Sequence, residues 1–227
     1  MTTRLVLPAL AAMVLAQLVT GCATLRPAPN AAALRAQALA GTRATYCRAP
    51  RKADNRVDAD RLVAELVELK ANTYSFCIHA RETDWDDLIL FLPKAKTKGI
   101  RVWASIVPPS ESAPKQGTTY PEPFRLDYKK WAQEFAKLAL QHPNLVAWSI
   151  DDFTHNLKDP YTPAFVREML DGARAINPKL AFVPCCYFPT ITPKFAADYV
   201  PLLDGILFPY RHESEGANLK DPSLTEQ

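Results

Sequence analysis

The sequence predicts an α/β protein with the architecture of a (β/α)8 (TIM) barrel, of which about six strand–helix units are present. Strand and helix patterns alternate along the 227-residue chain from about residue 42, and such alternation is typical of a parallel sheet covered by helices. The predicted strands are apolar on both faces, as expected of strands that are buried on both sides. Their centres lie roughly 25–45 residues apart, which is about the size of a βαβ unit.

A doubly wound sheet is the other architecture that this alternation allows. It predicts a glycine-rich phosphate-binding turn after the first strand, but the chain has only seven glycines and no such turn. A barrel predicts instead polar and aromatic residues directly after the strands, because barrel enzymes keep their sites at that edge. Such residues follow all six predicted strands, so the barrel is favoured.

Each element has its own local pattern. Six apolar runs predict the strands: ATYCRA, TYSFCIHA, IRVWASIV, LVAWSI, LAFVPCCYF and GILFPY. Apolar residues at three- and four-residue spacing predict the helices: residues 58–72, 83–99, 127–142, 162–177 and 192–203. Asp58 and Thr83 or Asp84 are the expected N-caps of the first two helices. Gly99 is expected to end the second helix, and Pro163 lies in the first turn of the fourth.

A complete barrel needs eight strands, and the pattern supplies six. The sequence closes on LKDPSLTEQ, which resembles a helix start with Asp221 as its cap and Pro222 in its first turn. A six-stranded sheet would leave two open edges, which proteins usually avoid. We therefore expect residues 42–227 to form an incomplete (β/α)8 domain.

Residues 1–21 have the pattern of a signal peptide. Arg4 precedes the apolar stretch LVLPALAAMVLAQL, which is short for a membrane span. The stretch ends in LVTGC and resembles the lipobox of bacterial lipoproteins. This resemblance implies cleavage before Cys22, a lipid such as palmitate on the Cys22 thiol, and a place at the outer membrane of the cell envelope, because Ala23 rather than Asp follows. An ordinary secretory signal is the alternative.

The Ala- and Pro-rich segment 22–41 is expected to be a tether between the bilayer and the domain, with one or two loose helical turns. The net charge is +3, and the basic residues are scattered with no run longer than two. This distribution argues against a nucleic-acid partner.

The four remaining cysteines lie in apolar runs, which predicts thiols in the core: Cys47, Cys77, Cys185 and Cys186. A Cys47–Cys77 bridge stays open because an exported protein can form disulfides. The cysteines and histidines lack the spacing of a zinc site. We therefore expect no metal and no cofactor.

Two adjacent acids end the predicted fourth strand. In NLVAWSIDDFTHN the apolar run Leu145–Ile150 is followed at once by Asp151 and Asp152. Two neighbouring carboxylates repel each other, and their burial without partners is costly. Either the pair caps the next turn or it takes part in a reaction.

With this acid pair, the sequence from about Thr42 onwards resembles (β/α)8 glycoside hydrolases. It is most similar to families that keep adjacent acids after the fourth strand and cleave N-acetylhexosaminides with help from the substrate's acetamido group. The resemblance implies that Asp151 orients and polarises the acetamido group, and that Asp152 is the general acid. A charged neighbour raises the pKa of a carboxyl group, which suits a general acid at neutral pH.

Other residues after the strands are candidates for binding a glycan substrate. Tyrosines suit this role because the C–H faces of sugars stack on aromatic rings, while charged groups contact hydroxyls or carboxylates. The candidates are Arg48, His79, Arg81, Glu111, Tyr187 and Tyr210. Glu111 is either a further site carboxylate or an exposed loop acid. Two other functions stay open: a metal-dependent polysaccharide deacetylase and a glycan-binding surface lipoprotein without activity.

Overall fold

The computed structural model of the protein describes residues 30–208, except residues 47, 80 and 116. The strands are β1 (Ala44–Thr45), β2 (Thr73–Ile78), β3 (Arg101–Ile106), β4 (Leu145–Ile150) and β5 (Ala181–Phe182). The helices are α1 (Ala31–Leu39), α2 (Ala59–Glu68), α3 (Asp84–Thr97), α4 (Tyr128–Gln141), α5 (Pro163–Ile176) and α6 (Pro193–Tyr199). Short 3-10 turns span Pro109–Glu111, Phe153–Asn156 and Phe188–Thr190.

The five strands form one parallel sheet in the order β1-β2-β3-β4-β5. Sequential order with a helix between successive strands is the topology of a (β/α)8 barrel, whereas a doubly wound sheet reverses its order. The predicted barrel-like architecture is therefore confirmed for the described residues. None of the helices in that part of the chain has both the length and the apolar character needed to span a bilayer.

Each strand directs alternate side chains to opposite faces of the sheet. Tyr74, Phe76 and Ile78 of β2 belong to the main core, which the helices cover. On the other face a smaller buried cluster contains Trp103, Ala147, Ala181 and Val183. This burial on both faces explains why the strands have continuous apolar sequences rather than alternating ones.

Strands β1 and β5 are shorter than the predicted runs. After Phe182 the chain still runs beside β4, because the amides of Val183 and Cys185 donate to Trp148 and Ile150. Pro184 has no N–H group, which interrupts the regular ladder. The predicted sixth strand is represented by one parallel bridge between Cys185 and Leu207. Residues 209–227 lie outside the described range.

Helix α1 differs from the predicted tether. Its Arg35 is buried, with Nε 2.7 Å from Oδ1 of Asp204 and Nη1 2.7 Å from the carbonyl oxygen of Pro178. Arg101, the first residue of β3, donates to the carbonyl oxygen of Ala38. Residues 31–39 are therefore part of the folded domain, and α1 packs at the amino-terminal end of the strands. The helix is rich in alanine and has no apolar stripe, so its periodicity gave no sign of this docking.

The cysteine predictions are tested in part. Cys77, Cys185 and Cys186 are free thiols, and the last two are buried as predicted. Cys47, and with it the possible bridge to Cys77, lies outside the described residues.

Candidate active site

Three carboxylates meet at the carboxyl edge of the sheet. Asp151 and Asp152 follow β4 directly, and Glu111 ends the 3-10 turn that follows β3. Strands β3 and β4 are neighbours with Ile106 opposite Ile150, so their ends lie side by side. The amide of Asp151 donates to the carbonyl oxygen of Ile106 at 2.9 Å. This continued pairing brings the acid pair to the turn that carries Glu111.

Both oxygens of Asp151 are held by hydrogen bonds. The hydroxyl of Tyr46, just after β1, donates to Oδ2 at 2.9 Å. The backbone amide of Asp152 donates to Oδ1 at 3.0 Å. These two bonds fix the position of the Asp151 carboxylate between the ends of β1 and β4.

Asp152 has an unusual backbone conformation and several side-chain partners. Its φ is 40° and its ψ is 33°, in the left-handed region that aspartate tolerates better than most residues. The Tyr187 hydroxyl donates to Oδ1, and Nδ1 of His155 lies 3.5 Å from Oδ2. The His155 ring stacks on the Tyr187 ring with centroids 4.6 Å apart. The side chain stays 18% exposed, so a ligand can reach it.

Turn capping does not explain Asp152. The residue precedes the turn Phe153–Asn156, yet its side chain makes no capping hydrogen bond to that turn. Its main-chain carbonyl oxygen accepts instead from the amide of His155 and from Nδ2 of Asn156. The carboxylate of Asp152 therefore points to other partners, and the capping alternative fails for this residue.

Glu111 is half-buried rather than an exposed loop acid. Partial burial, and after it the charges of Asp152 and Asp151, together raise the pKa of Glu111 to about 7. Its carboxyl group also hydrogen-bonds to Asp152, while Lys115 opposes the shift. A pKa of about 7 leaves Glu111 partly protonated near neutral pH, directly beside Asp152.

The other predicted binding residues divide into three groups. Tyr187 contacts Asp152 directly. Arg48, His79 and Arg81 line a neighbouring cavity of about 580 Å³, which Tyr46 also lines. Tyr210 lies outside the described residues, as does Cys22. Sequence reasoning did not select Tyr46, although its position two residues before Arg48 in the first strand pattern was a usable signal.

A metal site was not expected from the sequence. Within the described residues, Asp151, Asp152 and Cys185 form a group whose potential ligand atoms lie within 4.8 Å of one another. Metals bind cysteine as the thiolate. Burial and the adjacent Asp151 raise the pKa of the Cys185 thiol in the absence of a metal. The metal-dependent deacetylase therefore stays an alternative that this group of ligand atoms allows.

Comparison with known proteins gives structural matches only. No protein-family model and no curated protein matches the chain. Hydroxymethylglutaryl-CoA lyase from Pseudomonas aeruginosa is 18% identical with a TM-score of 0.44, over 74% of this chain and 51% of that one. β-Glucuronidase 2 of Bacteroides uniformis is 11% identical with a TM-score of 0.47, over 74% of this chain and 20% of that one.

The GH53 catalytic domain from Ignisphaera aggregans is 19% identical with a TM-score of 0.42, over 63% of this chain and 47% of that one. The chain thus spans between a fifth and about half of the length of these three proteins. Glycoside hydrolases are among the structures that it resembles, beside an enzyme of another class. The function must therefore be argued from the site itself.

Proposed function

We propose that the protein is a glycoside hydrolase that acts on glycans. One observation carries this proposal: Glu111, Asp151 and Asp152 meet at the carboxyl edge of the sheet, and the pKa of Glu111 is raised to about 7. Glycoside hydrolysis needs a carboxyl group that protonates the leaving oxygen and a carboxylate that stays charged. Glu111, with its raised pKa, supplies the first group, and Asp151, held by Tyr46, is placed to supply the second.

The roles follow from these contacts. Glu111, whose pKa is raised to about 7, acts as the proton donor together with the neighbouring Asp152. The sequence resemblance implied that Asp152 is the general acid. The raised pKa of Glu111 beside it extends that role to both residues. Asp151 faces the developing positive charge or, on an N-acetylated sugar, orients the acetamido group. Tyr187 and His155 hold Asp152 in place.

A leaving-group series tests this proposal. The wild-type chain should cleave aryl glycosides, and Asp151→Asn should lower kcat/KM by about 10²–10³-fold, because a preorganised charge is lost from the transition state. The loss should be similar for good and poor leaving groups, since Asp151 does not supply the proton. The measurement is kcat/KM across aryl glycosides whose phenols differ in pKa.

Asp171→Asn is the matched control, because Asp171 is an exposed carboxylate on α5. It should cleave the whole series at the wild-type rate. Wild-type protein that cleaves no glycoside would contradict the proposal and would favour a glycan-binding protein without activity.

We also propose that the protein is attached to the outer membrane through a lipid on Cys22, which the lipobox-like LVTGC supports. Cells that express the wild type and are fed a radiolabelled fatty acid should yield labelled protein, whereas Cys22→Ser should stay unlabelled. A Cys77→Ser variant, which removes a free thiol of the domain, should keep the label. Equal labelling of wild type and Cys22→Ser would end this proposal.

A further inference from the structure

A cavity adjoins the three acids, and the charged residues that line it are of the opposite sign. The cavity of about 580 Å³ lies between the ends of β1 and β2 and the loop at 117–119. Its volume is in the range of small-molecule sites, roughly 300–1,000 Å³. Tyr46 lines the cavity, and its hydroxyl donates to Asp151 at 2.9 Å. A ligand that fills the cavity therefore reaches the edge of the acid site.

The charged groups that line this cavity are all basic. Arg48, Arg51 and Arg81 carry positive charge, and His79 adds an imidazole. None of the described lining residues has a carboxylate. The arrangement separates charge along the carboxyl edge of the sheet, with three acids after β3 and β4 and the basic groups after β1 and β2.

Arg51 is already neutralised by the protein. Its Nη2 lies 2.6 Å from Oδ1 of the fully buried Asp84, and its Nη1 donates to the carbonyl oxygen of Asn55 at 2.7 Å. The other oxygen of Asp84 accepts from the backbone amides of His79 and Arg81. Both oxygens of Asp84 are therefore engaged by groups other than the guanidinium groups of Arg48 and Arg81.

Arg48 and Arg81 have no such partner within the described residues. No ion pair or side-chain hydrogen bond there involves either guanidinium group, and both side chains are exposed. The Asp84 bonds nevertheless fix the backbone at Arg81, and the Thr119 hydroxyl donates to the carbonyl oxygen of His79. The segment that carries Arg81 is thus held in place while its charge faces the cavity.

We propose that this cavity is a subsite for an oxyanion substituent of the glycan, either the carboxylate of a uronic acid or a sulfate ester. Guanidinium groups bind carboxylates and tetrahedral oxyanions through paired, charge-assisted hydrogen bonds, which a neutral sugar does not offer. The three acids would repel the same substituent, so the charge separation also sets the orientation of the substrate. This inference rests on the proposed glycosidase function and names its substrate class.

Binding of simple sugars tests the inference without any need for turnover. D-Glucuronate, D-glucose 6-sulfate and D-glucose are titrated into the 227-residue chain by calorimetry. At least one of the two anionic sugars should bind about tenfold or more tightly than D-glucose, and Arg48→Gln and Arg81→Gln should each remove most of that preference. Preference for glucuronate identifies a uronate subsite, and preference for the sulfate identifies a sulfate subsite.

Arg167→Gln is the matched control, because Arg167 is an exposed arginine on α5, away from the cavity. It should bind the three sugars as the wild type does. Equal binding of D-glucose and both anionic sugars would overturn the inference, and so would unchanged anion binding by the Arg48→Gln/Arg81→Gln double variant. Thermal melting of each variant checks that the substitutions leave the fold intact.

The outcomes separate this inference from the proposed function. Asp152→Asn should retain arginine-dependent binding of the anionic sugar even where hydrolysis is lost. Binding without turnover of any glycoside would contradict the hydrolase proposal and leave the subsite standing. Turnover of neutral glycosides with no anion preference would contradict the subsite and leave the hydrolase proposal standing.

Discussion

Asp152→Asn should lower kcat/KM by roughly 10²–10⁴-fold on glycosides with poor leaving groups, which is the usual contribution of a positioned general acid. The loss should be much smaller on an activated aryl glycoside, whose leaving phenol needs little protonation. The reason lies in the contact between Glu111 and Asp152: burial and the Asp152 charge both raise the pKa of Glu111, so the variant leaves Glu111 less protonated near neutral pH. The leaving-group series measured on wild type and Asp152→Asn provides the comparison.

The pH profile gives a second readout of the same pair. In the wild type, activity should fall as pH rises through about 7, because Glu111 then loses its proton. In Asp152→Asn a repelling charge is absent, so the pKa of Glu111 falls towards its ordinary value of 4.5 and the decline moves to lower pH. In Glu111→Gln this decline should disappear. A wild-type profile that is flat from pH 5 to 9 would contradict the assignment.

The pH dependence of the protein's stability should report the titration of Glu111 without any substrate. The pKa of Glu111 is higher in the folded chain than its ordinary value, so the folded chain holds this proton more tightly than the unfolded chain does. The stability that it contributes is fully present below pH 4.5 and is lost as pH rises through about 7. Glu111→Gln should remove this part of the pH dependence of Tm, whereas Glu82→Gln, at an exposed glutamate, should retain it.

Asp84→Ala should lower the free energy of unfolding by about 3–5 kcal/mol, which is the usual cost of removing one partner of a buried ion pair. Asp84 is fully buried, and it holds Arg51 together with the amides of His79 and Arg81. The alanine variant leaves all three donors without their acceptor. Urea unfolding measures the change, with the slope m compared between variants.

Asp86→Ala is the control for this experiment, because Asp86 lies in the same first turn of α3 but is exposed. Its free energy of unfolding should change by less than about 0.5 kcal/mol. A loss of less than about 1 kcal/mol in Asp84→Ala would show that water replaces the lost contacts, contrary to the buried network described above.

The helices after β1 were predicted to within a few residues because local signals mark their ends. Asp58 and Asp127 accept hydrogen bonds from the first turns of α2 and α4, and Pro163 begins α5. The strand order followed from the alternation of elements and the lack of a glycine-rich turn. These features depend on neighbours in the sequence, so the sequence alone was sufficient.

The contacts that define the site could not be predicted in this way. Tyr46 and Asp151 are 105 residues apart, and Glu111 meets Asp152 only because β3 and β4 are neighbours in the sheet. The docking of α1 likewise depends on the Arg35–Asp204 ion pair, whose members are 169 residues apart. The sequence identified the strand ends and the acid pair, but not which side chains meet there.

The position of α1 has a consequence for how the protein would stand on a membrane. This helix enters at the amino-terminal end of the strands, opposite the carboxyl edge where the acids and the arginines lie. Only residues 23–30 separate Cys22 from α1, and eight extended residues reach about 30 Å at most. If Cys22 is lipidated as proposed, the short segment 23–30 keeps the amino-terminal end of the strands near the bilayer. The candidate active site at the carboxyl edge then faces away from the lipid, towards the surrounding aqueous space.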